Sequence, residues 1–325
     1  DSQSLRGYRL QTVNLFPVTY QPLSGTLSVA TEMCVSVSLE RETDPACVRP
    51  DRDTLARVMD RVVNAPAIAA YTRTSPRASA ASPLAQTDDG PFEYVIITDT
   101  TLENAPGPFN FQALRDAHIS DGMSATIVTL DWIYDTYDGT RPDGGTDNQT
   151  KIRNFVMDAY RTWNTRHVLL GGTASIVPAR MFWVDSFAGE TDTMPVDMYY
   201  GCVEPAQCTF DGDADGTYGE PTDGVGGGDV DLYGDVYVGR ACVENADELA
   251  NFVRKTLDYN NVEREYLKRI TMLGEHLGFG GVAEYAKESM EQIRLGATYD
   301  DYATIGFENH TRDDFIDFIT STNLY

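Results

Sequence analysis

The chain has 325 residues, enough for one sizeable α/β domain with a smaller companion, and its 42% apolar content is ordinary for a packed globule. Fifty acidic residues against 25 basic ones leave a formal charge of -25, and the only lysines are Lys151, Lys255, Lys268 and Lys287. Such a surface repels phosphate backbones and anionic lipid, which argues against nucleic acid as a partner, and no run of 18 apolar residues is present to span a bilayer.

The chain opens at Asp1 inside a strand-like pattern with no basic-then-apolar leader, so a mature or truncated start is expected. Residues 8–15 read as a strand, and a turn containing Pro22 and Gly25 follows. Over 25–39, Leu27, Val29, Thr31, Met33, Val35, Val37 and Leu39 alternate with smaller or polar residues, the pattern of a half-buried antiparallel strand. Asp53 is the expected N-cap of a short helix carrying Leu55, Val58, Met59 and Val62 on one side. Residues 72–91 are rich in Ser, Ala and Pro and read as a linker, with Arg73 and Arg77 open to an Arg-cleaving protease.

From Phe92 short apolar runs alternate with helical patterns. Strands are expected at 94–98, 125–133, 167–170, 236–238 and 270–273, and helices near 109–120, 148–163, 246–259 and 281–294. Ile152, Phe155, Val156, Ala159 and Tyr160 form one core-facing stripe, and Asn245 with Glu248 makes a capping-box start for the later helix. The expected architecture is an α/β fold, a mostly parallel sheet of flavodoxin-like or caspase-like type with helices on both faces, preceded by a small β segment.

On such a sheet the working residues lie outside the carboxyl ends of the strands. Those ends are expected at Asp99, at Asp131 to Tyr134, at Gly171-Gly172 and at Gly239-Arg240. No phosphate-binding glycine pattern follows Gly171-Gly172, so a nucleotide site is not expected. The sharpest local motif is Asp211-Gly-Asp213-Ala-Asp215-Gly216, carboxylates at alternate positions with a glycine at the sixth. It matches the first half of a calcium loop, but position twelve is Thr222, so Glu220 or Asp223 is expected to complete the oxygen ligands. An all-oxygen set suits a hard cation, and structural calcium is the expected cofactor.

Five cysteines point to two local disulfides, Cys34 with Cys47 and Cys202 with Cys208, leaving Cys242 free, an arrangement consistent with export to the medium or the cell surface. His118 falls within a helix and His167 opens a buried strand, both structural positions, while His276 follows a strand end and His310 lies in a sequon. Cys242 with His276 is the one Cys–His pair that strand order allows, and no glycine-rich exposure surrounds Cys242.

Several ordered segments resemble peptidase family C25, the gingipain family. They are Tyr94-Val-Ile-Ile-Thr98, Thr126-Ile-Val-Thr-Leu-Asp-Trp-Ile-Tyr134, Thr150-Lys-Ile-Arg-Asn-Phe155, Val168-Leu-Leu-Gly-Gly172, Val177-Pro-Ala-Arg180, Asp197-Met-Tyr-Tyr200 and Asp231-Leu-Tyr-Gly-Asp-Val-Tyr-Val-Gly-Arg240. Residues 1–41 resemble the end of that family's β-type propeptide. The resemblance implies three parts: a propeptide end at 1–41, a helix and linker at 42–91 where a propeptide would be released, and the front of a caspase-like peptidase domain at 92–325.

It also implies a cysteine endopeptidase acting on protein or peptide substrates through a Cys–His dyad, with its own propeptide or C-terminal remainder as a partner. The family's His-Gly motif and its strand-end Cys are not found here, so no catalytic residue is assigned and this chain alone is expected to be inactive. The loop 275–285 would border the pocket for the residue before the cleaved bond, with Glu284 as its specificity residue. The acidic loop falls in the family's variable insert ahead of the fourth strand. Thr173, Gly234 and Cys242 depart from the family pattern and leave substrate preference open. The rival expectation is a calcium-stabilised surface or adhesive module that reuses the fold without catalysis; a metal hydrolase resting on Asp99 is a weaker third.

Overall fold

The computed structural model describes residues 2–5, 8–36, 52–59, 61–70, 90–185, 191–203, 208–224, 227–261, 269–274, 293–295 and 303–308. The chain divides into two compact units, Asp1–Leu257 and Asp258–Tyr325.

In the first unit, β1 (Ser2–Leu5) pairs antiparallel with β2 (Tyr8–Gln11), and β3 (Val18–Gln21) pairs antiparallel with β4 (Thr26–Val29). Gly25, at φ +62°, adopts the left-handed backbone that the connecting turn requires. Among the described residues of the strand expected over 25–39 (37–39 lie outside them), only the four of β4 pair, and every residue of β3 and β4 is exposed rather than half-buried. Its alternation is genuine, but among the described residues no second layer covers either face of this hairpin. Helix α1 (Arg52–Met59) contains Asp53 in its first turn, so Asp53 is not the N-cap. Leu5, Tyr8 and Val58 form a small buried cluster backed by Leu10, Val62, Ile68 and Tyr233, and the guanidinium of Arg61 stands 5.5 Å from the Tyr233 ring centroid. A 3-10 turn spans Ala65–Ala70.

The main sheet has four parallel strands in the order β10-β7-β5-β6: β10 (Tyr237–Ala241), β7 (His167–Gly171), β5 (Tyr94–Thr98) and β6 (Ala125–Thr129). Register places Tyr94 beside both Ala125 and His167, and His167 beside Tyr237, so all four strands start and end together. The strands are apolar runs because both faces are covered. Val95, Ile97, Val128, Val168 and Leu170 face one core; Ile96 and Leu169 face the other.

On the first face lie α4 (Leu130–Thr136), α5 (Asn148–Thr162) and the four-residue α6 (Met198–Gly201). The expected stripe of α5 is buried throughout, with Ile152, Phe155, Val156 and Tyr160 at 0% exposure. Each such side chain contributes roughly 1.5–3 kcal/mol through removal from water. The second face is covered by α2 (Thr100–Glu103), α3 (Phe111–Ser120) and α7 (Ala246–Asn261). At the start of α7, Asn245 Oδ1 accepts the Glu248 N–H at 3.0 Å, as the sequence led us to expect. The Glu248 carboxylate reaches one residue further back, Oε2 accepting the Glu244 N–H at 2.8 Å rather than that of Asn245.

Two stretches differ from expectation. The single strand expected over 125–133 breaks at Thr129, so Asp131 and Tyr134 belong to α4 rather than to a strand end. An unexpected antiparallel hairpin, β8 (Arg180–Asp185) with β9 (Thr191–Val196), follows β7. In the second unit, β11 (Arg269–Gly274) pairs in parallel with β12 (Ala303–Glu308), the latter also unexpected, with Arg269 beside Ala303. The helix expected near 281–294 falls almost wholly outside the described residues, as does the linker at 72–91 apart from its last two residues. Among the described residues, no helix is long and apolar enough to cross a membrane.

Candidate functional site

The carboxyl ends of β5, β6, β7 and β10 share one edge of the sheet, and local chemistry holds that edge in place. The Thr98 hydroxyl donates to the Gly171 carbonyl at 2.6 Å, and Asp99 Oδ1 caps α2 by accepting the Leu102 N–H at 2.8 Å. Asp99 is therefore a helix cap and not a free metal ligand. Gly171 and Gly172 serve packing: a Cβ on Gly171 would lie 2.6 Å from the Phe111 ring, and one on Gly172 2.8 Å from Ile176. Beyond them, Thr173 and Glu244 join side chain to side chain at 3.1 Å. Cys242 sits exposed just past β10.

The histidines of the described residues lie at the wrong end for chemistry at this edge. The His118 ring lies 4.1 Å from that of Tyr94, and His167 stacks on Tyr237 at 5.1 Å, both at the amino-terminal ends of the strands. Burial holds the His118 imidazole below its usual pKa, against the pull of Asp121. Both are structural, as expected. His276, His310 and Glu284 lie outside the described residues, so the structure bears neither on the Cys242–His276 pair nor on the specificity residue.

Between β7 and β10 an insert packs on α5 through buried arginines that sequence reading missed. Arg180, 5% exposed, donates to both carboxylate oxygens of Asp147 at 2.8 and 3.1 Å, and to Thr150 Oγ1 and the Tyr199 hydroxyl at 3.2 Å each. Its guanidinium lies over the rings of Tyr218 and Tyr199, 4.0 and 4.5 Å from their centroids. Arg153 donates from Nη2 to the carbonyls of Cys202 and Cys208 at 2.6 and 2.8 Å. Arg240 grips Asp197 with two bonds of 2.7 Å and donates to the Gly172 and Val177 carbonyls at 2.8 and 2.6 Å. No local motif marks these partners, which lie 19 or more positions apart.

The cysteines depart from expectation. Cys202 and Cys208 are buried free thiols rather than a disulfide. The physical reason is local: Cys208 Sγ bonds to the Asp229 carbonyl at 2.8 Å, and Arg153 closes the intervening loop through both carbonyls. Burial pushes the Cys208 thiol up to about 12 despite the nearby Arg153, and burial likewise drives Cys202 well above the ordinary thiol range. Cys34 is an exposed free thiol, and Cys47 lies outside the described residues.

The acidic loop folds as its pattern requires. Ala214 and Gly216 take φ of +62° and +87°, and Gly219 N–H donates back to the Phe210 carbonyl at 2.8 Å to close the loop. Carboxylate oxygens of Asp211, Asp213 and Asp215 come within 4.8 Å of one another. Asp223 is placed otherwise: its two oxygens accept the N–H groups of Gly212 and Glu220 at 2.8 and 2.7 Å, across the base of the loop. Burial, then the neighbouring carboxylates, raise the acids of Asp211, Glu220 and Asp223 above the ordinary range.

A parallel sheet with helices on both faces, a strand-end edge and an insert ahead of the fourth strand define an α/β protein of the doubly covered kind. Two family models match it: residues 87–321 match peptidase family C25 and residues 1–66 match the C25 propeptide. The chain belongs to peptidase family C25. Among solved structures it is similar to the Arg-specific cysteine proteinase gingipain R, at 16% identity and a TM-score of 0.45, over 71% of this chain. The match spans 45% of that protein's length. No curated protein matches.

Proposed function

We propose that this chain is the N-terminal portion of a secreted cysteine endopeptidase together with the end of its propeptide, the whole protein cleaving peptide bonds by thiolate attack. The observation that carries the reading is the order of the two family matches: a propeptide model over 1–66, then a peptidase model over 87–321, on one chain. The substrates are proteins or peptides, and the propeptide is the first internal partner. Contact between the N-terminal strands and Tyr233 gives that partnership a seat on the peptidase segment. A protease made with a removable leading segment can stay silent until it leaves the cell, which supports release to the medium or cell surface.

The dyad belongs to sequence that follows Tyr325. None of His118, His167, His276 and His310 is followed by glycine, and the exposed Cys242 has no histidine beside it among the described residues. Glu284 borders the substrate pocket in this reading.

The test compares two proteins against casein and short peptide amides, with and without iodoacetamide. The purified 325-residue chain is expected to hydrolyse nothing, and the product of the uninterrupted gene to show thiol-sensitive cleavage once its leading segment is removed. Thiol-sensitive activity from the shorter chain would sink the placement of the dyad. A silent full product with no later His-Gly strand would favour a non-catalytic surface module.

A further inference from the structure

We infer that the apolar face of the β3–β4 hairpin is the contact surface of a homodimer, in which a second copy of this chain covers it with the same face. The inference holds whether or not the whole protein is a peptidase.

The register of the hairpin sorts its side chains by polarity. Val18 stands opposite Val29 and Tyr20 opposite Leu27, and these four share one face; Thr19 with Ser28 and Gln21 with Thr26 share the other. On the apolar face Val18 is 50% exposed, Tyr20 59%, Leu27 61% and Val29 59%. Phe16 and Leu23, just before and just after β3, lie open as well. A two-stranded ribbon alone is marginal in water and needs something packed on its hydrophobic face. Among the described residues nothing supplies that cover, and a contiguous apolar patch of this kind marks an association site.

Three observations select a second copy as the cover. Between Arg9 and Glu32 no residue is charged, the longest such run in a chain that is 23% charged. A net charge of -25 drives two copies apart wherever acidic surfaces meet, and along this run they touch without opposing like charges. The surface is also large enough. Phe16, Val18, Tyr20, Leu23, Leu27 and Val29 together offer apolar area on the order of the 800 Å² that each partner of a standard complex buries, with the aromatic, charge-depleted make-up of an interface core. Lastly, Pro17 and Pro22 bracket β3 and cut short any pairing along its outer edge, so the hairpin meets a partner by its face. A two-fold axis through that face lets the same side chains serve both copies, a closed contact that stops at two.

The experiment takes the full 325-residue chain through sedimentation velocity from micromolar to hundred-micromolar concentration. A reversible monomer–dimer equilibrium is expected. Tyr20→Glu and Leu27→Glu each put a charge on the apolar face at an exposed position and should weaken the dimer at least tenfold. Thr19→Glu puts the same charge on the opposite face of the hairpin and should leave the dimer unchanged. Leu27→Arg should fail to pair with itself yet pair with Leu27→Glu, because a two-fold contact brings position 27 of both copies into one interface. A chain that stays monomeric at every concentration would overturn the dimer. Hairpin amides protected from hydrogen exchange in that monomer would assign the face to another part of the same chain, and co-sedimentation with phosphatidylcholine vesicles would assign it to lipid. A dimer that keeps its affinity in both glutamate variants of the apolar face would overturn the inference as well, by locating the contact elsewhere.

Discussion

Arg180, the first residue of β8, and Asp147, the N-cap of α5, form a two-pronged ion pair at 2.8 and 3.1 Å, and the same Asp147 oxygen that takes one prong caps the helix through the Thr150 N–H at 2.7 Å. One carboxylate thus fixes the start of the central helix and the entry of the insert. Burial alone would raise the Asp147 pKa, but the Arg180 guanidinium and the Thr150 N–H outweigh it and hold the acid below its ordinary value. A depressed carboxylate stabilises the fold above the unfolded pKa, and that contribution is lost as pH falls through the lower folded value.

Two variants separate charge from cap. Asn at position 147 can still accept the Thr150 N–H, so Asp147→Asn removes the ion pair and spares the helix start. It should lose the part of acid denaturation that lies below the ordinary aspartate pKa of 3.8, so its unfolding curves at pH 7 and pH 3 should differ less than those of wild type. Arg180→Ala leaves Asp147 part-buried with only Arg141, 3.8 Å away, in place of its two-pronged partner, and should cost about 3 kcal/mol in urea unfolding at pH 7. An Arg180→Ala cost within experimental error of zero would show that solvent replaces the guanidinium.

The thiols make a second prediction. Exposed Cys34 and Cys242 should react with a disulfide reagent in the native protein at pH 8, while Cys202 and Cys208 should react only after unfolding, because burial holds both thiols protonated. Peptide mapping of the labelled protein reads each site separately. A linked Cys202–Cys208 peptide from oxidised protein would overturn the free-thiol arrangement and restore the bridge expected from their spacing. Arg153→Met, which takes the donor from both carbonyls, should speed the reaction of Cys202 and Cys208 by opening the loop that joins them.

What the sequence disclosed, and what it hid, follows from the range of the forces involved. Val95, Ile96 and Ile97 lie in one unbroken apolar run, and Ile152 to Tyr160 repeat at helical spacing, so β5 and α5 were readable from neighbours alone. The acidic loop was readable for the same reason, since its carboxylates follow one another in the sequence. The switch at Thr129 was not: Leu130 and Ile133 continue the apolar run, and the Thr129 side chain makes no cap bond to announce a helix. The hairpin β8–β9 hides behind mixed burial and Pro195, which sits on its exposed second strand. The Arg180–Asp147 bond joins positions 33 apart, and the Arg153 bonds reach 49 and 55 positions, distances that only the folded chain closes.

The last prediction concerns the strand-end edge. Gly171 ends β7 in the centre of the sheet, where Thr98 donates to its carbonyl and the Phe111 ring covers its Cα. A methyl group there would stand 2.6 Å from Phe111 Cζ and 3.1 Å from Thr98 Cβ. Phe111 is fully buried as the first residue of α3, whose start is fixed by the Asn110 side chain accepting the Ala113 N–H at 2.9 Å, so the ring has little room to retreat. Gly171→Ala should therefore destabilise by overpacking, by roughly 1–3 kcal/mol, measured by denaturant unfolding. If crowding is the cause, Phe111→Leu should cost less in the Gly171→Ala background than alone, because the shorter side chain vacates the space the methyl needs. Strictly additive costs would instead assign the glycine to backbone conformation. The edge that presents the carboxyl ends of β5 and β7 would then be set by strand geometry and not by the ring packed behind it.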